Sequence, residues 1–440
     1  MNPSSTSSAT SPHLRGRGPL PPPPGSSRLL AGWHDTAAGA DLAEHQRRYG
    51  RLPLPGHAGH PARLVDEVAA AGLLGRGGAG FPTAHKLAAV AGARGRPIVV
   101  ANGCEGEPAS EKDAVLLDLA PHLVLDGAIA AAHALGASEV SICVHEGTAA
   151  ALTMPVAIAE RRDPVPIRLV EVPAHYVASE ASALVQYLNT GDARPTSTTV
   201  RAAQHGVRGR PTLIDNVETL AHLALIARYG AGWFRQTGSE DLPGTLLTTI
   251  GGAVRHPGVY ELPGGTTLDT ALRHAGGPTT PVQAVLTGGY GGSWLSSANQ
   301  APATPLTHEG MRAAGATLGV AALLALPAAA CGLAQTAHLL HYLAGQSAKQ
   351  CGPCMFGLPA IATDLADLVA GHSNARSVLA RLHRRLTVIP GRGACAHPDG
   401  AVQLAASALE VFQTDLSEHL NGRPCLRASE PPLFHLPRRG

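Results

Sequence analysis

Aromatic residues make up only 3% of this 440-residue chain. Its cores must therefore come from small aliphatic side chains and close backbone packing rather than from large rings. The formal charge is +2, and no basic run with interleaved aromatics occurs, so a nucleic-acid groove is not expected. Met1 to Gly32 is Ser, Pro and Arg with no apolar block, which predicts a cytoplasmic protein without a secretory leader. No uncharged run reaches the ~20 residues a spanning helix needs. The nearest, Leu318 to Cys331, is broken by Pro327 and reads as a buried strand entering a helix. Seven cysteines, an odd number, argue against a disulfide framework. The histidines form no H-x-x-E-H or H-E-x-x-H grouping, so that metal-hydrolase signature is missing.

What the chain does have is 44% hydrophobic residues, enough to fill large cores, and a length that suggests roughly three domains. Residues 1–50 are polar and proline-rich and predict a disordered tail. From Pro61 onward short apolar strands (Pro97 to Ala101, Glu139 to Val144, Ile167 to Val172) alternate with helical patterns (Asp113 to Leu135, Gly147 to Arg161). That rhythm predicts an α/β domain over 51–240 with a parallel sheet. After Gly244 short strands separated by Gly/Pro turns predict a small α+β module over 241–312, of β-grasp size. Residues 313–425 read as a helical bundle and 426–440 as a loose tail.

The chain is organised around Gly75-Arg76-Gly77-Gly78-Ala79-Gly80-Phe81-Pro82-Thr83, running on to Lys86. Small residues let backbone N–H groups close on a phosphate, and the following helix N-terminus adds positive potential. Arg76 and Lys86 would neutralise the anion. The spacing fits neither the Walker loop nor the dinucleotide fingerprint, so the loop alone reads equally as a turn or as a ligand cradle. In parallel sheets ligands sit beyond the strand carboxyl ends. Asn102-Gly103-Cys104-Glu105-Gly106-Glu107-Pro108 follows the first strand at such a place. Cys351-x-x-Cys354 with Cys395 points to metal or redox chemistry, either iron–sulfur, zinc or a dithiol pair. Cys143 lies mid-strand and reads as core, and Cys425 as an idle residue of the tail.

Six stretches in order resemble the flavin-containing, NADH-binding 51-kDa family of respiratory complex I subunits and its hydrogenase and formate dehydrogenase relatives. They are GRGGAGFPT…K at 75–86, N-x-x-E-G-E-P…K-D at 102–113, Tyr176 with Ser179-Glu180, GRPTLIDNVETL at 209–220, G-x-V-x-x-P-G-V-Y-E at 252–261, and Cys351-x-x-Cys354 with Cys395. The resemblance implies a flavin/nucleotide α/β domain, a soluble-ligand-binding β-grasp module and a helical bundle with a 4Fe–4S cluster. It implies NADH as substrate, FMN as cofactor, and other electron-transfer subunits or a ferredoxin as partners, with this chain at most peripheral to a membrane complex.

Carried over by position, Gly75, Arg76, Gly77, Gly78 and Lys86 would hold the FMN phosphate and ribityl chain. Asn102, Cys104, Glu105, Tyr176, Ser179, Glu180, Ile214, Asp215 and Asn216 would surround the flavin and nucleotide. Phe81 and Glu107 would lie at the nicotinamide. Phe81 reads alternatively as a core residue capping its loop, and Asn216 as a helix cap. Several positions depart from the family. Cys104 replaces Asp, Ser179 replaces Gly, Ala181 replaces a nucleotide-facing Glu, and Asp215 replaces Asn. Ala348 stands where the first cluster cysteine belongs, leaving Cys351, Cys354 and Cys395 for a 3Fe–4S cluster or a 4Fe–4S cluster with a non-cysteine fourth ligand. These departures leave two other readings open. One is an FMN protein with a ferredoxin-type donor; the other is a non-catalytic assembly or relay subunit.

Overall fold

The computed structural model describes residues 27–31, 39, 41–54, 62–197, 201–298, 301–371, 374–422 and 425–437. Strands β1 (Ile98–Asn102), β2 (Val140–His145), β3 (Ile167–Val172) and β4 (Thr212–Asn216) form an all-parallel sheet in the order β3-β2-β1-β4. The apolar runs that make β1 and β2 are buried on both faces, as parallel strands covered by helices must be. The covering helices, in chain order, are α1 (Leu42–Tyr49), α2 (Ala62–Ala71), α3 (Thr83–Ala91), α4 (Lys112–Leu119), α5 (Pro121–Leu135), α6 (Ala149–Ala159), α7 (Ala181–Thr190) and α8 (Val217–Phe234). The helix expected over Asp113 to Leu135 is two helices bent by 94°, because Pro121 begins the second. Gly127 explains how α5 can lie against α8 with so few large side chains: a Cβ there would meet the Leu220 carbonyl oxygen at 1.8 Å.

The second sheet has the order β6-β5-β9-β7-β8, from β5 (Thr245–Gly252), β6 (Gly258–Pro263), β7 (Val282–Thr287), β8 (Ser293–Ser296) and β9 (Ala322–Pro327), with α9 (Leu268–His274) and α10 (His308–Ala313). The boundary at residue 312 therefore falls too early. β9 lies between β5 and β7, so the run from Leu318 that was expected to enter a helix first completes the β-grasp sheet. It does then enter α11 (Gly332–Gly345), followed by α12 (Leu358–Val369), α13 (Ala375–Val388), α14 (His397–Val411) and α15 (Gln413–Leu420), which share one apolar core.

Both expected tails need correction where they are described. The amides of Arg28, Leu29 and Leu30 all donate to the buried Glu261 carboxylate, and Arg28 stacks 4.0 Å over Trp233. In α1, His45 reaches Asp126, which Arg161 and Arg228 also face. The proline run at 19–24 lies outside the described residues. At the other end Phe434 is buried against Trp294, and Tyr290 donates to the His435 carbonyl. Composition cannot reveal such contacts, because each depends on a partner 81 or more residues away.

Candidate flavin and iron–sulfur sites

From β1 the chain moves outward to β2 and β3, then returns to place β4 on the other side of β1. The strand order therefore reverses between β1 and β4, with Asn102 opposite Asn216 at their carboxyl ends. A crevice opens at such a switch point because the loops leave in opposite directions. Three of the predicted stretches meet there: the 75–81 loop, the loop after Asn102, and Ile214 to Asn216.

The glycine loop is pinned at its base by Gly75 N–H to the Phe81 carbonyl, 2.9 Å, and by the Leu74–Pro82 bridge. A Cβ on Gly77 would sit 3.3 Å from Asn216, and one on Gly80 would sit 2.2 Å from the His308 ring. Gly78 and Gly80 have φ of 106° and 61°, which only glycine adopts without strain. Among the described residues, the amides of Gly77, Gly78, Ala79 and Gly80 donate in no backbone hydrogen bond of ordinary geometry. Orphan donors over a cradle that side chains would fill are what a phosphorylated cofactor needs, so these residues fit FMN.

Not every predicted residue faces that cradle. Arg76 is buried and its guanidinium is spent on the carbonyls of Leu74, Pro243 and Thr245, so it joins the flavin domain to the β-grasp sheet instead of meeting a phosphate. Cys104 lies in a small core with Ile98, Val100 and Val172, and burial holds its thiol well above the ordinary range; it behaves as a small hydrophobe. Glu107 has both oxygens engaged, by Tyr176 OH at 2.8 Å and the Ala109 amide at 3.1 Å, and its carboxyl packs on Gly289. That is a positioning residue at a domain contact. Phe81 is 46% exposed with its edge toward His85, which does not fit a core cap.

The others do converge. Asn102 donates to the Ser179 carbonyl at 2.8 Å, and the Ser179 hydroxyl turns back to the Tyr176 carbonyl. Glu180 caps α7 through the Ser182 and Ala183 amides. Glu105 accepts from Ser110 and from the Asp113 and Ala114 amides. Burial and the nearby Asp113 charge raise its pKa to about 7. Asn216 does cap α8, accepting from the Glu218 amide, and it also donates to Asp113 at 2.6 Å.

Lys86 is held by the Ile214 carbonyl at 3.0 Å and by Asp215 Oδ1 at 2.7 Å. Asp215 Oδ2 is buried without a partner, and burial raises this carboxyl despite the lysine. The Asp in place of Asn thus holds a cation that a phosphate would otherwise recruit. Asp215→Asn should free Lys86 and tighten FMN binding about tenfold, roughly 1.4 kcal/mol, measured by quenching of FMN fluorescence. Weaker binding would contradict this assignment.

Sequence reasoning passed over the group beneath the crevice. Lys112 is 1% exposed and bonds Asp113 at 2.6 Å, Glu218 at 3.0 Å and Asn216 at 3.3 Å. Its K-D dipeptide belongs to the 102–113 stretch, but the partner Glu218 comes from the stretch at 209–220. Tyr176 likewise joins three segments, with Glu107, Tyr342 and, at 4.9 Å, His397.

His397 sits beside Cys395 and bonds the Leu343 carbonyl at the end of α11. Cys354 is buried, while Cys351 and Cys395 are partly exposed. The three sulfurs are not gathered within the 4.8 Å that one ion would need. Thiolates that sit on different irons of a cluster are spaced more widely than the ligands of one ion.

Comparison with known proteins fits this geometry. Residues 68–225 match the Nuo51 FMN-binding domain model, 247–292 the SLBB domain, and 328–419 the NADH-ubiquinone oxidoreductase-F iron-sulfur binding region. The NADH-quinone oxidoreductase F subunit 2 of Rhizobium meliloti (strain 1021) is 31% identical over 390 residues, covering 83% of this chain and 90% of the relative. This chain belongs to the family of NADH-quinone oxidoreductase F subunits. The F subunit of Escherichia coli K12 is 32% identical over 81% of the chain and 84% of its own. A solved NAD+-reducing [NiFe]-hydrogenase in the air-oxidized state superposes with a TM-score of 0.79 at 29% identity, over 90% of this chain and 67% of that one. In this chain the departures at Cys104 and Asp215 are accommodated locally, by a small core and an ion pair respectively. No single described helix is long and apolar enough to cross a membrane.

Proposed function

We propose that this chain is an NADH-oxidising flavoprotein that delivers electrons to an iron–sulfur centre in its own helical bundle. The observation that carries the reading is the glycine cradle with free amide donors at the β1/β4 switch point. Bound FMN would supply the conversion of a two-electron hydride donor into single-electron transfers. The chain's part is to bind and orient it. The amides of 77–80 hold the phosphate while Lys86 stays paired with Asp215, Asn102 and Asn216 fix the two strand ends, and Phe81 lies exposed where a nicotinamide would stack. Tyr176 packs against Glu107 on one side and His397 on the other, so the flavin loop and the cysteine loop keep a fixed separation.

The exposed Met355 and Phe356, directly after Cys354, offer an apolar surface at which another electron-transfer subunit would dock. A second reading, an FMN protein with a ferredoxin-type donor, is favoured by Ala181 alone. It opens α7 where a second carboxylate would face the nucleotide, and Glu180 beside it is spent on capping.

Anaerobic addition of NADH to the isolated protein decides between them. Bleaching of the flavin absorbance by NADH supports the first reading. A flavin untouched by NADH but bleached by reduced ferredoxin supports the second.

A further inference from the structure

At the opposite end of α11 from the cluster cysteines lies a second group of soft ligands. Cys331 is the N-cap of α11, and its Sγ is 3.4 Å from Nε2 of His419 near the end of α15. Cys425 closes on Cys331 from the C-terminal segment. The ligand atoms of all three lie within 4.8 Å of one another, the one group among the described residues to do so. α11 has 14 residues, so about 21 Å of helix at 1.5 Å per residue separates this group from the loop of Cys351 and Cys354.

We propose that Cys331, His419 and Cys425 bind a zinc ion. Bond lengths of about 2.3 Å to sulfur and 2.0 Å to nitrogen put tetrahedral S···N edges at about 3.5 Å, and the 3.4 Å separation already matches. Two thiolates and an imidazole are the soft set that selects zinc over harder cations. The surroundings are those of a built site. Cys331 and His419 are both at least 98% buried. Asp415, held by the Gly332 amide at 2.7 Å and by Arg427 at 2.8 Å, places negative charge alongside.

The ion would tie together the β9–α11 junction, the last bundle helix and the C-terminal segment that packs on Gln335 and Trp294. No covalent or redox step is involved; the thiols lose their protons to solvent as zinc binds.

The test is elemental analysis of the full-length protein isolated without oxygen. The wild type should carry about one zinc per chain beside its iron. Cys425→Ser, at a half-buried position, and His419→Gln should each lower zinc about tenfold while iron and far-ultraviolet circular dichroism stay unchanged. Cobalt(II) added to the zinc-stripped protein should give thiolate charge-transfer bands, a readout that does not depend on any variant folding. A wild type without zinc or cobalt binding overturns the proposal. So does zinc retained in both variants, or a Cys331–Cys425 disulfide in non-reducing peptide maps.

Discussion

Lys112→Met should destabilise the protein by about 3–5 kcal/mol, the usual result of removing one partner from a buried charge group. The lysine is 1% exposed and faces Asp113 and Glu218, which cannot reach water once it is gone. Burial pulls the ammonium's pKa down, but those carboxylates and Glu105 outweigh it, so the charged form persists. Burial already raises the Glu218 carboxyl, and losing the lysine that lowers it leaves its folded pKa higher still. Such groups release protons on unfolding, so stability falls as pH rises above the ordinary carboxyl range. Chemical denaturation should therefore show the loss nearly complete at about pH 8 and much reduced at about pH 5. Adding Glu218→Gln, which keeps an acceptor for the Leu247 amide, should recover part of it. A loss independent of pH would mean that the lysine matters for packing alone.

The second large effect concerns the cluster. Ala348→Cys should raise iron by about one atom per chain, by supplying the thiolate that a four-cysteine 4Fe–4S site requires. Ala348 stands three residues before Cys351, in the loop that carries the cluster cysteines. Next to it the Ser347 hydroxyl is buried without a partner. Iron assay after anaerobic isolation is the measurement, and unchanged iron would remove Ala348 from the site.

The succession of parallel-sheet domain, β-grasp sheet and helical bundle was legible in the sequence because it rests on local patterns: alternating strands and helices, glycine turns, and apolar helices after Ala328. The glycine loop precedes α3 and the 102–108 loop follows β1, as their residues indicated. What escaped was non-local. Arg76 looks like a phosphate ligand by charge and neighbours, yet Pro243 and Thr245 capture it from 167 and 169 residues away. Cys104 looks like a flavin contact by position, yet its side chain turns into the core. Glu261 ends the 252–261 stretch and had no role until the amides of Arg28 to Leu30 closed on it. Cys331, His419 and Cys425 share no spacing rule, since 88 residues separate the first two and only the bundle brings them together.

Flavin content per chain, compared between the wild type and Gly77→Val after anaerobic isolation, tests the central claim most directly. A valine at 77 would push its branches into the space facing Asn216, where even a Cβ comes within 3.3 Å. The cradle predicts about one FMN per chain in the wild type and a loss of tenfold or more in the variant, with unchanged circular dichroism. A wild type that takes up no flavin, or a variant that keeps it, would contradict a flavin seat at the β1/β4 switch point.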